Sequence, residues 1–466
     1  MISFIENFMV GVGIFYLIYI LLYTSYLFLS VTIGAWQLYE RDRMVKLRNE
    51  LKHDYYLPIS IIVPAYNEEV TIVDSIKSLL EVNYKLYEII VIDDGSSDNM
   101  AKKLIETFNL ESINRPIHRR LECKPYKKVY ETMIGKVKLT LISKVNGGKG
   151  DSINMGINAS KFPYFISIDA DSMLQKDSLE KIIQPVLEDE SIVAVGGLIR
   201  VAQCVDMEKG EVKSYHLPLN LITCMQVLEY DRSFLASRIL MDQFNGNLII
   251  SGAFGLFKKD IVIAVGGYDT ETLGEDMELV LKLHTFSRNN NRNYSLRYEP
   301  NAICWSQVPS SLGDLIKQRR RWYIGLFQCM LKYYRVFANL RFGLVSFISY
   351  MYYLLFELLS PIIELFGIVT MIIALNFGIL NIHFMIKFLL IYSIYGAILT
   401  ITAFFQRIYT QNLKISFLDS LKAVFICLLE NIFFRYIISF VRLTAFIGYK
   451  KKKKDWGDIK RVKYGE

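Results

Sequence analysis

Six short polar clusters hold the chemistry this chain could perform. Asp169 and Asp171 stand one residue apart. With a diphosphate, two carboxylates at that spacing can hold Mg²⁺ or Mn²⁺, hard ions that favour oxygen ligands. Lys149 lies in Asn146-Gly147-Gly148-Lys149-Gly150, where missing side chains let an ammonium reach a phosphate. Asp93 and Asp94 open Asp-Asp-Gly-Ser, and a carboxylate there can accept hydrogen bonds from a base or a ribose. Tyr66 and Glu68 lie in Pro64-Ala65-Tyr66-Asn67-Glu68-Glu69. Asp276, in Gly274-Glu275-Asp276, can take a proton from a hydroxyl. Lys317-Gln318-Arg319-Arg320-Arg321-Trp322 offers guanidinium forks that match phosphate oxygens and an indole that can stack on a sugar ring.

Each cluster also has a plainer reading. Asp-Asp-Gly is a common turn. Asp169 and Asp171 could cap a helix over 178–186. Asp276 could be an ordinary carboxylate at a helix N-terminus, before 277–283. The basic hexapeptide with its Trp could be an anchor at a membrane surface.

Position favours a joint site. Residues 59–63, 88–92, 139–143 and 164–168 read as short buried strands, and each runs directly into one of these clusters. Residues 71–80 read as a helix, with apolar Ile72, Ile76, Leu79 and Leu80. Strands alternating with helices predict an α/β fold with a doubly wound, mostly parallel sheet. Such sheets bind ligands beyond the carboxyl ends of their strands.

Composition places this domain beside a membrane. Of 466 residues, 52% are hydrophobic. The net charge of +8 gathers at 41–53, 115–128, 317–321 and 449–454. Two of these clusters border apolar stretches, which fits a membrane protein better than a nucleic-acid binder, and no nucleic-acid partner is expected. Cys123, Cys204, Cys224, Cys304, Cys329 and Cys427 are scattered without CxxC spacing, so neither a zinc site nor a disulfide framework is expected. No charged residue lies between Glu6 and Glu40, enough for one crossing. The run is too long for a cleavable signal, and no basic segment precedes it. Arg41, Arg43, Lys46, Arg48 and Lys52 then put the following domain in the cytoplasm.

In order, Pro-Ala-Tyr-Asn-Glu, Asp-Asp-Gly-Ser, Gly-Gly-Lys, Asp-x-Asp, Gly-Glu-Asp and Gln-Arg-Arg-Arg-Trp resemble the motifs of processive membrane glycosyltransferases of family 2. These include cellulose, hyaluronan, chitin and poly-N-acetylglucosamine synthases. The motif match covers 58–322, and Gln-x-x-Arg-Trp is its most discriminating part. The resemblance implies a GT-A-like domain inserted between transmembrane and interfacial helices. It implies that Tyr66 and Glu68 line a uracil pocket, that Asp93 and Asp94 contact uridine, and that Lys149 meets the diphosphate. Asp169 and Asp171 would hold UDP and the metal, Mg²⁺ or Mn²⁺, with Asp171 the stronger ligand candidate. Asp276, beside Glu275, would be the catalytic base. Gln318 and Arg321 would neutralise the pyrophosphate, and Trp322 would stack under the acceptor sugar.

The expected organisation is a transmembrane helix (1–40), a basic juxtamembrane segment (41–56), the cytosolic catalytic domain (57–322) and an interfacial amphipathic helix (323–342). Transmembrane and re-entrant helices (343–449) and a basic cytosolic tail (450–466) follow. Residues 343–380 and 384–405 are each long enough to cross once. Glu357 and Glu364 inside the first would line a path for an exported glycan or make helix-to-helix hydrogen bonds. The charged residues of 415–449 suggest a helical pair that returns to the cytoplasm. Residues 200–245 read as an amphipathic insertion, with Arg232 and Arg238 open to an ordinary surface role. The basic stretch 114–128 reads as a solvated loop. No soluble regulatory domain is expected after the last helices, so control by a cyclic dinucleotide in cis is not expected. The expected activity is inverting polymerisation of UDP-glucose into a β-glucan and export across the plasma membrane, with accessory export proteins as compatible partners. The alternatives are a UDP-N-acetylglucosamine polymerase or a single transfer to a lipid phosphate.

Overall fold

A computed structural model describes residues 2–48, 56–411 and 413–447. Most of the juxtamembrane segment past Arg48 and all of the 450–466 tail lie outside the described residues. The strands are β1 (Ile59–Ala65), β2 (Tyr87–Asp93), β3 (Glu111–Ile113), β4 (Tyr126–Ile134), β5 (Val137–Lys144) and β6 (Tyr164–Ile168). They continue as β7 (Ser172–Leu174), β8 (Ile192–Val201), β9 (Val205–Glu208), β10 (Glu211–Tyr215), β11 (Phe254–Lys258) and β12 (Ser295–Ser306).

Ten strands form one sheet in the order β3-β4-β5-β2-β1-β6-β11-β8-β12-β7. Its centre, β5-β2-β1-β6, is parallel, as the alternation of strands and helices predicts. β1 and β2 are buried along their whole length, because helices cover both faces of a parallel core. Helix Ile72–Leu80 supplies one cover, burying Ile72, Ile76 and Leu79 on a single stripe. Outside this core, β11 runs antiparallel to β6 and β8, and β4 to β5, so the complete sheet is mixed.

One expectation for the domain holds with an addition and one changes. The basic stretch 114–128 is a largely exposed loop that runs into β4 at Tyr126, as expected, but it is pinned at two points. Leu121 and Cys123 are buried against the helix Lys149–Ala159, and Asp151 accepts from the Lys124 amide at 2.9 Å. Arg232 and Arg238 are not surface charges. Arg232 meets Glu430 at 2.7 Å and Thr400 Oγ1 at 2.8 Å, and Arg238 donates to the Ile249 carbonyl at 3.0 Å. Charge alone misled for the two arginines, because nothing in the local sequence marks the partners that justify their burial.

The apolar stretch Glu6–Arg41 belongs to one helix, Ile2–Arg48. Glu6–Arg41 and Ile382–Thr410 are long and apolar enough to cross a membrane. The crossing expected within 343–380 is broken instead. Val345–Leu358 and Ser360–Asn376 meet at a 50° bend, where Pro361 in the first turn cannot continue the preceding helix. Further on, Phe417–Leu429, Glu430–Phe434 and Arg435–Leu443 follow one another without a turn, so no returning pair forms. Their charges are matched sideways: Arg435 meets Glu364 at 2.9 Å and Arg442 meets Glu357 at 3.0 Å. Finally, the boundary expected at 322/323 falls inside a continuous helix, Leu312–Lys332. Ser311 caps it by accepting from the Asp314 amide at 3.2 Å.

Candidate active site

The clusters gather where the sheet topology predicts, but not every residue faces the same space. Lys149 opens the helix after β5, with Gly148 at φ +89° providing the turn. Its ammonium pairs with Asp169 and stands 3.8 Å from Glu275. Burial works against the Lys149 charge, but Asp169 and Glu275 outweigh it and raise its proton affinity. Burial pushes Glu275 up to about 7, with Asp276 adding while Lys149 and Arg321 oppose. Lys149, Asp169, Glu275, Asp276 and Arg321 thus act on one another although their sequence positions span more than 170 residues (321 − 149 = 172).

Ser251-Gly252-Ala253, which the motifs left without a role, lies between the lysine and the proposed base. The Gly252 amide donates to Asp276 Oδ2 at 3.4 Å. A Cβ on Gly252 would lie 2.9 Å from Lys149 Nζ, so any side chain there would crowd the ammonium.

Asp171 is buried and accepts from Ser172 Oγ at 3.4 Å. Its charge reaches Tyr230, whose hydroxyl is pushed up to about 12, chiefly by burial, with Arg319 opposing and Glu229 and Asp171 adding. Asp169 keeps part of its side chain exposed. Among the described residues no third His, Cys, Asp or Glu completes a metal cage with these two. The donor set therefore suits a hard divalent ion that takes further oxygens from a bound diphosphate.

The arginine motif sits mid-helix and is docked by residues with no motif signal. Gln328 Oε1 accepts from the Leu273 amide at 2.9 Å and Thr272 Oγ1 at 3.0 Å. Gly325 packs so closely on Gly274 that a Cβ there would lie 2.7 Å from the Gly274 nitrogen. Lys332 bridges Asp269 at 2.6 Å and Glu278 at 2.5 Å. These contacts hold Glu275 and Asp276 beside the helix of Gln318 to Trp322. Trp322 is 40% exposed, with the Arg319 guanidinium 4.6 Å from its ring centroid. Arg319 is in turn gripped by both oxygens of Glu229 at 2.6 Å. Gln318 is buried, and its Oε1 has no hydrogen-bond partner.

On the other side of the sheet's carboxyl edge, Tyr66 is exposed and Glu68 accepts from Thr71 Oγ1 at 2.9 Å. Asn67 ties this loop to the next, accepting from the Ser97 amide at 2.8 Å. Asp93 accepts from the Ser96 amide at 2.9 Å. Asp94 departs from the expectation of a uridine contact. It is buried and committed to Lys144 at 2.5 Å and to the Gly147 and Gly148 amides at 3.0 and 2.7 Å. Lys144 is completely buried and also pairs with Asp151 at 2.6 Å. Asp94, Lys144 and Asp151 together set the course of the loop that presents Lys149. Sequence reasoning missed Lys144, and its one signal is a lysine ending a strand whose preceding residues are mostly apolar and buried.

Next to this site, among the apolar helices outside the sheet domain, lies a cavity of about 160 Å³. Glu229, Arg232, Glu357, Glu364, Arg435 and Arg442 are among the residues lining it. Glu229 therefore touches both the support of Trp322 and the cavity.

Comparison with known proteins gives the family and the fold. A family model described as glycosyl transferase family group 2 matches residues 164–405, and one described as glycosyl transferase family 2 matches 60–122. A poly-beta-1,6-N-acetyl-D-glucosamine synthase of Staphylococcus epidermidis is 30% identical over 62% of this chain and 59% of its own length. One from Staphylococcus aureus (strain COL) is 30% identical over 66% of this chain and 62% of its own. The chain thus spans about three fifths of those curated relatives. A mannosyltransferase from Pyrobaculum calidifontis, solved with GDP-Man and Mn²⁺, superposes with a TM-score of 0.50 at 17% identity. That match covers 88% of this chain and 98% of the mannosyltransferase, and shows a shared GT-A-like fold.

Proposed function

The chain belongs to glycosyl transferase family group 2, and from that membership we propose that it polymerises UDP-N-acetylglucosamine into a β-linked chain and passes the product through its own helices. The motifs pointed first to UDP-glucose and a β-glucan. The curated relatives are synthases of a β-1,6-linked N-acetylglucosamine polymer, which favours the amino sugar as donor. The observation that carries the processive reading is the double role of Glu229. It clamps Arg319 beneath Trp322 and also lines the polar cavity among the membrane-side helices. An acceptor stacked on Trp322 would have its far end directed to that cavity.

In this reading Asp276 takes the proton of the acceptor hydroxyl as its oxygen bonds to the sugar's anomeric carbon. The bond to UDP breaks on the opposite face, so the configuration inverts. Lys149 and Arg321 meet the negative charge that develops on the departing diphosphate. A divalent ion held by Asp169 and Asp171 would supply further positive charge there. Tyr66, Glu68 and Asp93 form the nucleoside side, with Asp94 shaping the loop and Gln318 offering a buried acceptor to the bound donor. The chain would lie in the plasma membrane as a multi-pass protein with the catalytic domain in the cytoplasm.

The test feeds membranes carrying the protein with radiolabelled UDP-N-acetylglucosamine or UDP-glucose, with Mg²⁺ or Mn²⁺. Label from the first should enter high-molecular-weight material that a β-1,6-specific N-acetylglucosaminidase degrades. Polymer from UDP-glucose alone would refute the donor. A lipid-extractable monosaccharide would refute processivity.

A further inference from the structure

A second cavity lies away from the catalytic cleft, walled by the β10 strand, by Gln175 after β7, by Ile303 of β12 and by residues 411, 413 and 414. Its volume is about 550 Å³, room for a metabolite rather than a lone water. Arg200, on β8, lies in its wall and is only 2% exposed. Arg200 Nε and Nη2 have no hydrogen-bond partner, although a buried guanidinium ordinarily has all its donors engaged.

The charges around Arg200 do not balance. Arg407 is buried close enough to act on its charge, and Asp231 is the buried carboxylate that acts on both. Asp231 gives both oxygens to Arg407, at 2.6 and 2.7 Å. Arg407 also donates to the Tyr215 hydroxyl. Two guanidiniums thus face one carboxylate, which has no oxygen directed to Arg200. Glu211 lines the cavity but stands largely in solvent, 3.4 Å from Lys176 and 3.8 Å from Lys213. Trp305 stacks on Arg200 at 5.1 Å, which fixes the plane of the fork without neutralising it. The protein itself strains against this charge: burial, with Arg407 adding, pulls the Arg200 proton affinity down to about 9. An uncompensated buried ion is strongly destabilising. Lys213 and Lys414 add positive charge at the cavity wall.

We propose that this cavity binds a phosphate-bearing anion, gripped by the Arg200 fork and offset by Lys213 and Lys414. The site is distinct from the donor site yet joined to it. β7 runs from Ser172, next to Asp171, to Leu174, and Gln175 follows in the cavity wall. That path is only about 13 Å at the usual rise per residue. β7 pairs with β12 through Trp305 opposite Met173, and Trp305 in turn pairs with Arg200. Occupancy therefore bears on the strand that carries the aspartate pair. Residues 411 and 414 follow the apolar helix Ile382–Thr410, so the phosphate could belong to a phospholipid headgroup or to a soluble ester.

The experiment uses the full chain in phosphatidylcholine nanodiscs, with UDP and Mn²⁺ saturating the catalytic cleft. In one arm glycerol 3-phosphate is added. In the other, phosphatidylglycerol replaces part of the phosphatidylcholine. One arm should raise the melting temperature by about 2–4 °C. Arg200→Gln should abolish that rise, and Lys213→Ala with Lys414→Ala should shrink it. The responding arm identifies the source of the phosphate. An equal rise in wild type and Arg200→Gln, or no rise in either arm, overturns the proposal. If Arg200→Gln does not fold, the lysine pair decides: an undiminished rise in that variant overturns it. UDP binding is measured separately, so loss of the donor reading would show there and not in these shifts.

Discussion

Glu275 is the residue whose protonation the cleft controls most directly. Burial is the main cause, and the neighbouring charges are Lys149, Asp276 and Arg321. A carboxyl raised from its usual 4.5 to about 7 stabilises the fold below pH 4.5. That contribution is lost as the pH climbs through about 7, because the unfolded chain ionises first. Without donor and metal, wild-type melting temperature should fall from pH 5 to pH 8 more steeply than that of Glu275→Gln. Parallel curves for the two proteins would remove Glu275 as the titrating group. Asp276 makes a different prediction. Its oxygens accept from the Met277 amide at 2.8 Å and the Gly252 amide at 3.4 Å, and an amide side chain retains one such acceptor. Asp276→Asn should therefore bind UDP normally while losing polymer synthesis by about 100-fold or more, the usual weight of a general base. Synthesis above a tenth of wild type would assign proton removal elsewhere.

At the scale of elements, the helix Leu312–Lys332 does two jobs with one face each. Gln328, Gly325 and Lys332 lock it to the Gly274 turn, and Arg319 carries Trp322. Arg319→Ala would remove the cation beneath the indole and leave Glu229 without the guanidinium that holds it. Elongation should drop by about tenfold, the scale of one lost cation–π contact, while calorimetric UDP binding stays unchanged. Trp322→Ala should give the same split. Equal losses of UDP affinity and elongation would place the helix on the donor side only. The strands that deliver this machinery were legible in the sequence, because β1, β2, β5 and β6 are apolar runs that end in polar turns. The supports were not. Lys144 finds Asp94 50 residues away, and Arg319 finds Glu229 90 residues away. Local periodicity carries no information about such partners. The same blindness turned Asp94 into an apparent nucleoside contact. The sugar was illegible for another reason: the roles that the motifs imply fall on the nucleoside and the diphosphate, which UDP-sugars share.

Across the whole molecule, the membrane-side helices are held by pairs of opposite charge arranged around one cavity. Arg232 with Glu430, Arg435 with Glu364 and Arg442 with Glu357 each join segments distant in sequence. Such pairs can be mere cross-braces, or they can form the wall of a path for a hydrated polymer. The two roles separate on the Arg435–Glu364 pair. Arg435→Gln alone strands Glu364, leaving it the Ser439 hydroxyl, and should cost about 3–5 kcal/mol. Arg435→Gln with Glu364→Gln removes both charges, and folding stability should return to within about 1 kcal/mol of wild type. A cross-brace restored in stability is restored in function. A polar wall is not, because two amides hold water and sugar hydroxyls less strongly than two ions. The double variant should therefore melt like wild type and release UDP at the wild-type initial rate, yet make shorter polymer by gel filtration. Full-length polymer from that variant would reduce the pair to a brace and direct the glycan elsewhere.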